Sequence, residues 1–314
     1  MEKSLNVEEW NRQRRMGIGG SDIGAICGLN KWRTALDVFL EKTGQSQEKE
    51  PNEAMRLGTF LEPYIVSRYE EATGLKCVEQ EGMYHDGCIV CNVDRIVDMG
   101  DGRTQVGQEI VSSRILECKT ARYEWEDGVP LAYQCQVQWY MGAFQNVKEC
   151  DVAVFYTGGQ KEPFHIFKVA KDNEIYENLK ERAIEFWNKY VLTGTMPPPQ
   201  TEDDARLIWA KHHEGESKFA DAVILSKFKE LLAKDEELEA IEDARAKIIT
   251  DIMKFMGNAE VLKDAGGQKL VSWKNQKDSV KVDWKSLATS LHATDAQVKR
   301  YTTVKAGARV FRYK

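Results

Sequence analysis

The sequence predicts an α/β protein, a central β-sheet flanked by helices, and three observations predict it. The middle of the chain, 76–119, is rich in Val, Ile and Cys and is interrupted by Met99-Gly100-Asp101-Gly102, the mark of strands joined by a turn. Helical spacing occurs both before and after that stretch. Two further strand-like segments, CDVAVFYTG and FHIFKVA, then lead into another periodic helix, so strands and helices mix along the chain.

Taken in order, WNRQRRM (10–16) reads as a short basic helix. GIGGSDIGAICG (17–28) follows as a glycine-bearing turn, with Ser21 or Asp22 placed to cap the next helix. Between 52 and 74, Leu57, Leu61, Ile65 and Tyr69 recur every four residues and Gly74 ends the run, which predicts an amphipathic helix. The strands of 76–99 and 103–119 come next, then helical spacing over 132–145, and a helix over 173–192. Three successive prolines at 197–199 lack amide donors and cannot continue that helix, so the expected domains are 1–196 and 197–314. The second begins with a long charged helix or helical pair, 218–256, and ends as a small α+β unit. The expected architecture is a mixed sheet flanked by helices, with a helical and α+β appendage.

Composition narrows the function. With 314 residues, 42% apolar and 30% charged, the chain can bury a full core. No run of about 18 apolar residues occurs, and MEKSLNVEEWNRQRR lacks the apolar stretch of a signal peptide. A soluble, cytoplasmic protein without a membrane partner is expected. Seven scattered cysteines do not resemble a secreted disulfide framework. A net charge of −6 argues against a surface that grips phosphates everywhere. Any nucleic-acid site must therefore be local, and clustered carboxylates can create one by holding metal ions against a phosphate.

The candidate constellation lies in CNVDRIV and ILECKTA. On a strand, residues two apart share a face, so Glu117 and Lys119 point the same way, while the Cys118 carbonyl is left at the strand's edge. Asp94, on the preceding strand, lies opposite if the two strands pair. Two carboxylates, a carbonyl and waters suit Mg²⁺, which prefers oxygen donors. Lys119 would orient or deprotonate a bound water, or offset charge developing on a phosphate. Asp94 stands among apolar CNV and IV, and Glu117 follows Ile115 and Leu116, so burial there is costly without a partner. Glu62, in LGTFLEPYIV, is a further carboxylate whose spacing alone does not bring it to the cluster.

The succession GIGGSDIGAICGLN, GTFLEPYIV, NVDRIV, LECKT and YQCQVQWYM resembles the YqaJ-type viral recombinase family, relatives of phage lambda exonuclease within the PD-(D/E)XK nuclease superfamily, over about residues 8–190. The resemblance implies a restriction-endonuclease-like core. It implies Asp94, Glu117 and Lys119 as catalytic residues, Glu62 as a metal ligand, and Cys118 as a ligand through its main-chain oxygen. Gln136 and Tyr140, four apart and so on one helix face, match the QxxxY helix of RecB-like nucleases. Arg15 and Ser21 resemble residues that hold a 5′-terminal phosphate, and an arginine beside a helix start is a sound anion site. Tyr133, Gln138 and Trp32 are weaker DNA-contact candidates, since aromatic residues are more often core.

The resemblance further implies a Mg²⁺-dependent 5′ to 3′ exonuclease acting on double-stranded DNA ends, with Mn²⁺ able to substitute. It implies a single-strand annealing protein as partner and a ring-shaped homo-oligomer, often a trimer. Two features depart from the family pattern. GDGRTQVGQEIVSSR makes the segment between Asp94 and Glu117 longer than a compact hairpin, and Asn92 stands where a proline-containing turn is looked for. Cys88 and Cys91 form a CxxC, but no cysteine follows Cys150, so no iron-sulfur cluster is expected. The alternatives are an endonuclease of the same fold, and a non-catalytic DNA-binding accessory protein. The Lys, Arg and aromatic residues of VSWKNQKDSVKVDWK and RVFRYK are candidate DNA contacts of the C-terminal region.

Overall fold

A computed structural model describes residues 2–46, 52–276 and 283–303. RVFRYK and residues 277–282 of the preceding basic segment lie outside the described residues. The chain divides into two compact units, Met1–Ala210 and Lys211–Lys314.

The first unit opens with three helices, α1 (Glu2–Arg15), α2 (Gly20–Ile26) and α3 (Ala35–Lys42), followed by the long α4 (Glu53–Thr73). Asn52 caps α4 by accepting from the Met55 amide at 2.9 Å, and Gly74 ends it at φ 73, a conformation glycine adopts without a Cβ penalty. Pro63 sits inside α4, directly after Glu62, where it removes one helical hydrogen bond.

Seven strands follow: β1 (Lys76–Val78), β2 (Tyr84–Asp86), β3 (Ile89–Cys91), β4 (Arg95–Asp98), β5 (Gln105–Val106), β6 (Glu109–Ile110) and β7 (Arg114–Ala121). After α5 (Leu131–Ala143) come β8 (Glu149–Tyr156), β9 (Phe164–Ala170) and α6 (Asn173–Phe186), which runs on through a π-helical turn at Trp187–Val191. The unit closes with α7 (Glu202–Ile208).

The main sheet has the order β1-β4-β7-β8-β9 and is mixed. β7 pairs with β8 in parallel and the other neighbours are antiparallel. A parallel pair needs a crossover, and α5 provides it. Helices cover both faces. Ile115, Val152, Ile96 and the buried side of α5 belong to one cluster with α2, α3 and α6, whereas Leu116, Ala153 and Val97 pack against Ile65 and Tyr69 of α4. The strand period of two is thus written into β7: odd residues face α5 and even residues face α4.

The long segment between Asp94 and Glu117 leaves the main pairing intact, because its extra residues fold on themselves as the small hairpin β5–β6. Arg95 opposes Leu116 and Ile96 opposes Ile115. The proline run belongs to the first unit. The Gln200 side chain accepts from the Ala35 amide at 2.8 Å, and Asp204 of α7 accepts from the Thr34 hydroxyl at 2.9 Å.

The second unit contains α8 (Ala222–Met256), a single helix of 35 residues, then the hairpin β10 (Val261–Lys263) and β11 (Lys269–Ser272), α9 (Trp284–Ser290) and α10 (Asp295–Arg300). Among the described residues no helix is long and apolar enough to cross a membrane.

Candidate active site

β7 outruns its antiparallel partner. Pairing with β4 stops at Leu116, so Glu117 to Ala121 have β8 on one side only. Asp94 sits at that vacated edge, one residue before β4 begins, and its Oδ2 accepts from the Cys118 amide at 2.8 Å. In a strand the N–H and C=O of one residue point the same way, so the Cys118 carbonyl is directed to the Asp94 side as well. The Cys118 thiol is held far above the usual thiol range by burial and by Asp94, Glu117 and Glu62, which leaves it neutral.

Glu117 points to the α5 face and is 2% exposed. Its Oε1 accepts from Lys119 Nζ and from Gln136 Nε2, the latter at 2.7 Å. Its Oε2 is buried without a hydrogen-bond partner. Burial, then the Asp94 charge, push the Glu117 carboxyl up to about 7, although Lys119 opposes them. Burial works against the Lys119 charge, yet Glu117 and Asp94 outweigh it and raise the ammonium's pKa. Lys119 Nζ also lies 4.8 Å from the Tyr133 ring centroid, a cation–π distance.

Gln136 and Tyr140 occupy one face of α5, as their four-residue spacing requires: Gln136 Nε2 donates to the Tyr140 hydroxyl at 3.2 Å. α2 lies against that face. A Cβ on Gly20 would stand 2.6 Å from the Tyr140 ring, so only glycine lets the backbone come this close. The turn before α2 is thereby held beside Gln136, and through it beside Glu117.

Glu62 reaches the edge of this group from α4. Its Oε1 accepts from Arg95 Nη1 at 2.8 Å, and Arg95 also donates to the Asp94 carbonyl. Burial and the Asp94 charge raise the Glu62 carboxyl, placing it within electrostatic reach of Asp94, and it adds to the upward push on Glu117. Among the described residues, however, no three acidic, histidine or cysteine side chains form a preassembled metal cluster. The reason is visible in the partners: Asp94 is turned to the Cys118 amide, Glu62 to Arg95, and one Glu117 oxygen to Lys119 and Gln136.

The other sequence candidates separate. Gln138 is buried away from this group, donating to the Ala170 carbonyl and accepting from the Asp172 amide at 2.9 Å, a clamp between α5 and the start of α6. Trp32 is 83% exposed. The cap of α2 differs from the expectation of Ser21 or Asp22: Gly19 is the capping position, its amide donates to Asp22 Oδ2 at 2.8 Å, and Ser21 lies in the first turn. Arg15 is exposed, whereas its neighbour Arg14 donates to the Ser21 hydroxyl at 2.7 Å.

Arg33 and Lys42 carry no signal in the sequence and Asp22 only that of a helix cap, yet the three anchor this turn. Asp22 is fully buried, with Lys42 Nζ at 2.7 Å from one oxygen and Arg33 on the other. Arg33 continues to Glu41, and Lys42 donates to the Arg14 carbonyl at 2.8 Å. Only the basic end of the first helix hinted at such a network.

A mixed sheet between helices, with a carboxylate pair and a lysine at the free end of a central strand, defines the class of the molecule. Residues 9–144 match the family model described as YqaJ-like viral recombinase domain. The chain is similar to that family over this stretch, which is less than half of its length. It is 35% identical over 202 residues to the uncharacterized protein YqaJ of Bacillus subtilis (strain 168), a match covering 62% of this chain and 59% of that one. The chain thus spans about three fifths of that curated relative. Among solved structures it is similar to an alkaline exonuclease from Laribacter hongkongensis, at 20% identity and TM-score 0.47 over 60% of this chain and 94% of that one. A phage related exonuclease from Haemophilus somnus 129PT follows at 16% and 0.43, covering 60% of this chain and all of that one, 100%. These two are likenesses in the course of the chain alone.

Proposed function

We propose that the protein is a divalent-metal-dependent DNA exonuclease of phage-type recombination. It degrades one strand of linear duplex DNA from the 5′ end and leaves 3′ single-stranded tails for annealing. The observation that carries this reading is the buried Glu117: a carboxylate with one orphan oxygen, beside a second carboxylate and a lysine, is a costly arrangement that a hard cation would satisfy.

The residues fit Mg²⁺, with Mn²⁺ as a substitute, because every donor offered is oxygen. Asp94, Glu117 and the Cys118 main-chain carbonyl would hold the ion, and Glu62 would join by exchanging its contact with Arg95. When bound, the ion supplies positive charge against the scissile phosphate and acidifies a water. Lys119, kept protonated by its acidic neighbours, stabilises negative charge growing on the phosphate, which favours that role over proton abstraction. Gln136 fixes the rotamer of Glu117, and Tyr140 fixes Gln136. The Tyr133 ring gives the Lys119 ammonium a cation–π partner.

The 5′ phosphate is read at the start of α2, by Ser21 with the adjacent arginines. The first unit, Met1–Ala210, forms the catalytic domain, extending past the boundary at 196 that the proline run suggests, and the second, Lys211–Lys314, serves contacts with partners or DNA. The working form is a ring-shaped homo-oligomer, a trimer, in the cytoplasm, with a single-strand annealing protein as its partner. No iron-sulfur cluster takes part.

Purified protein with MgCl₂ is expected to shorten linear duplex DNA and spare covalently closed circles, and EDTA to stop it. Glu117→Gln is expected to lower the rate by about 10²–10⁴-fold. Digestion by wild type no faster than by Glu117→Gln would end the enzyme reading, and cutting of closed circles would make it an endonuclease. For end recognition, Arg14→Ala and Arg15→Ala are compared on 5′-phosphorylated and 5′-hydroxyl ends. Loss of the preference in either variant supports a phosphate site here, and an unchanged preference in both refutes it.

A further inference from the structure

Along its 35 residues α8 buries only Met256. Leu238, Ile241, Ile248 and Phe255 are 55, 64, 62 and 80% exposed. With Arg245 and Ile252 they recur at alternating steps of three and four, the seven-residue repeat of a helix seam. At about 100° per residue all six fall within an arc of about 100°, a single stripe. The β10–β11 hairpin does not cover it: the apolar contact it makes lies one face over, where Ile249, Met253 and Met256 line a cavity with Val271 and Trp273, and only Ile252 is shared.

The charges beside the stripe decide what can cover it. The positions that flank the stripe carry Glu237, Glu242 and Asp251, with apolar Ala244, Ile249 and Met256 at the others, and no basic residue. In a parallel pair of identical helices Glu237 would face Glu242 of the other copy, and in an antiparallel pair each acidic flank would face itself. Either orientation sets acid against acid at close range, which a second copy of this chain cannot avoid. Arg245 inside the stripe adds a further demand, since a charge on a helix seam fixes register by requiring a complementary partner. The ion pairs that now occupy the flanks, Glu237 with Lys234 at 2.8 Å and Asp251 with Lys254 at 3.3 Å, are exposed i,i+3 contacts that exchange at little cost.

We propose that the Leu238–Phe255 face of α8 docks an amphipathic helix of another protein, one whose apolar seam is flanked by lysines or arginines and carries a carboxylate opposite Arg245. This surface is independent of the nuclease reading. It requires neither metal nor DNA.

Full-length protein is titrated against two labelled synthetic peptides of about four heptads, and binding is read by fluorescence anisotropy. Both peptides carry Ile and Leu on the seam with one Glu to meet Arg245. One has Lys at every flanking position and the other Glu. The Lys peptide is expected to bind at least about tenfold more tightly, and less tightly as salt rises. Ile241→Ser/Ile248→Ser is expected to lose that binding by about tenfold or more, and Glu237→Lys/Glu242→Lys to reverse the preference between the peptides. All four positions are exposed, so circular dichroism of the variants should match wild type. Equal binding of the two peptides, no binding of the Lys peptide, or undiminished binding by the seam variant would overturn the proposal. So would self-association by light scattering that Ile241→Ser/Ile248→Ser abolishes, which would assign the seam to a second copy.

Discussion

Asp22 and Glu117 are both buried carboxylates beside a lysine, yet their surroundings lead to opposite chemistry. Asp22 has both oxygens occupied: Lys42 and the Gly19 amide on one, Arg33 on the other, with Arg14 nearby. Burial works against its charge, but these three cations hold the carboxyl well below the usual carboxylate range. Glu117 has one oxygen engaged and one orphaned, a second carboxylate close by, and a carboxyl raised to about 7. A saturated carboxylate holds structure together, whereas an unsaturated one stores a demand for a cation.

The largest effect should come from breaking the saturated cluster. Lys42→Met leaves Asp22 short of a buried partner and is expected to cost about 3–5 kcal/mol of stability, read by denaturant titration. Adding Asp22→Asn to it should recover part of the loss, because the uncompensated charge goes too. A loss under about 1 kcal/mol would mean the cluster does not anchor the turn.

A second test uses pH and asks for opposite signs. Asp22 has a depressed carboxyl, so its contribution is present above the unfolded carboxylate range and disappears as pH falls through and below about 4. Glu117 has a raised carboxyl, so its contribution is present below the unfolded value and is lost as pH climbs toward about 7. In EDTA, Glu117→Gln should thus gain melting temperature over wild type progressively from about pH 4 to about pH 7. An advantage that stays constant across that range would contradict the raised carboxyl.

Much of this was legible from residue order. β7 announced itself through Ile115-Leu116 and the Glu-x-Lys alternation, α4 through its four-residue repeat, and the Gln136–Tyr140 pair through helix spacing. The β4–β7 pairing was in doubt only because the long insertion could shift it, and a hairpin that pairs within itself removes the problem. What stayed hidden depends on contacts distant in sequence. Lys42 ends ALDVFLEK and reads as an ordinary solvated helix lysine, because nothing local says that Asp22 lies over it. Gln138 reads as a weaker DNA contact beside Gln136, but two residues along a helix turn a side chain by about 200°, and it meets Ala170 and Asp172 instead. Arg14 and Arg15 differ in the same manner: the phase of α1 where it ends decides which one meets Ser21.

The smallest effect tests how the two regions are joined. Asp22 fixes the turn at Gly19, and the next residue, Gly20, lies flat on Tyr140, whose hydroxyl receives the Gln136 amide that in turn holds Glu117. Gly20→Ala puts a methyl into the ring, and Tyr140 cannot retreat because it is buried. The clash should cost about 1–3 kcal/mol, less than loss of the ion pair, since α2 can shift by a fraction of an ångström. That shift presses on Gln136, so the rate of the proposed nuclease reaction should fall beyond what stability explains. Pairing Gly20→Ala with Tyr140→Phe distinguishes the causes: the ring, and with it the clash, remains while the link to Gln136 is gone. If the second substitution lowers the rate no further, strain from Gly20 already acts through Tyr140 and Gln136. Fully additive losses would show that the turn and Glu117 are set independently.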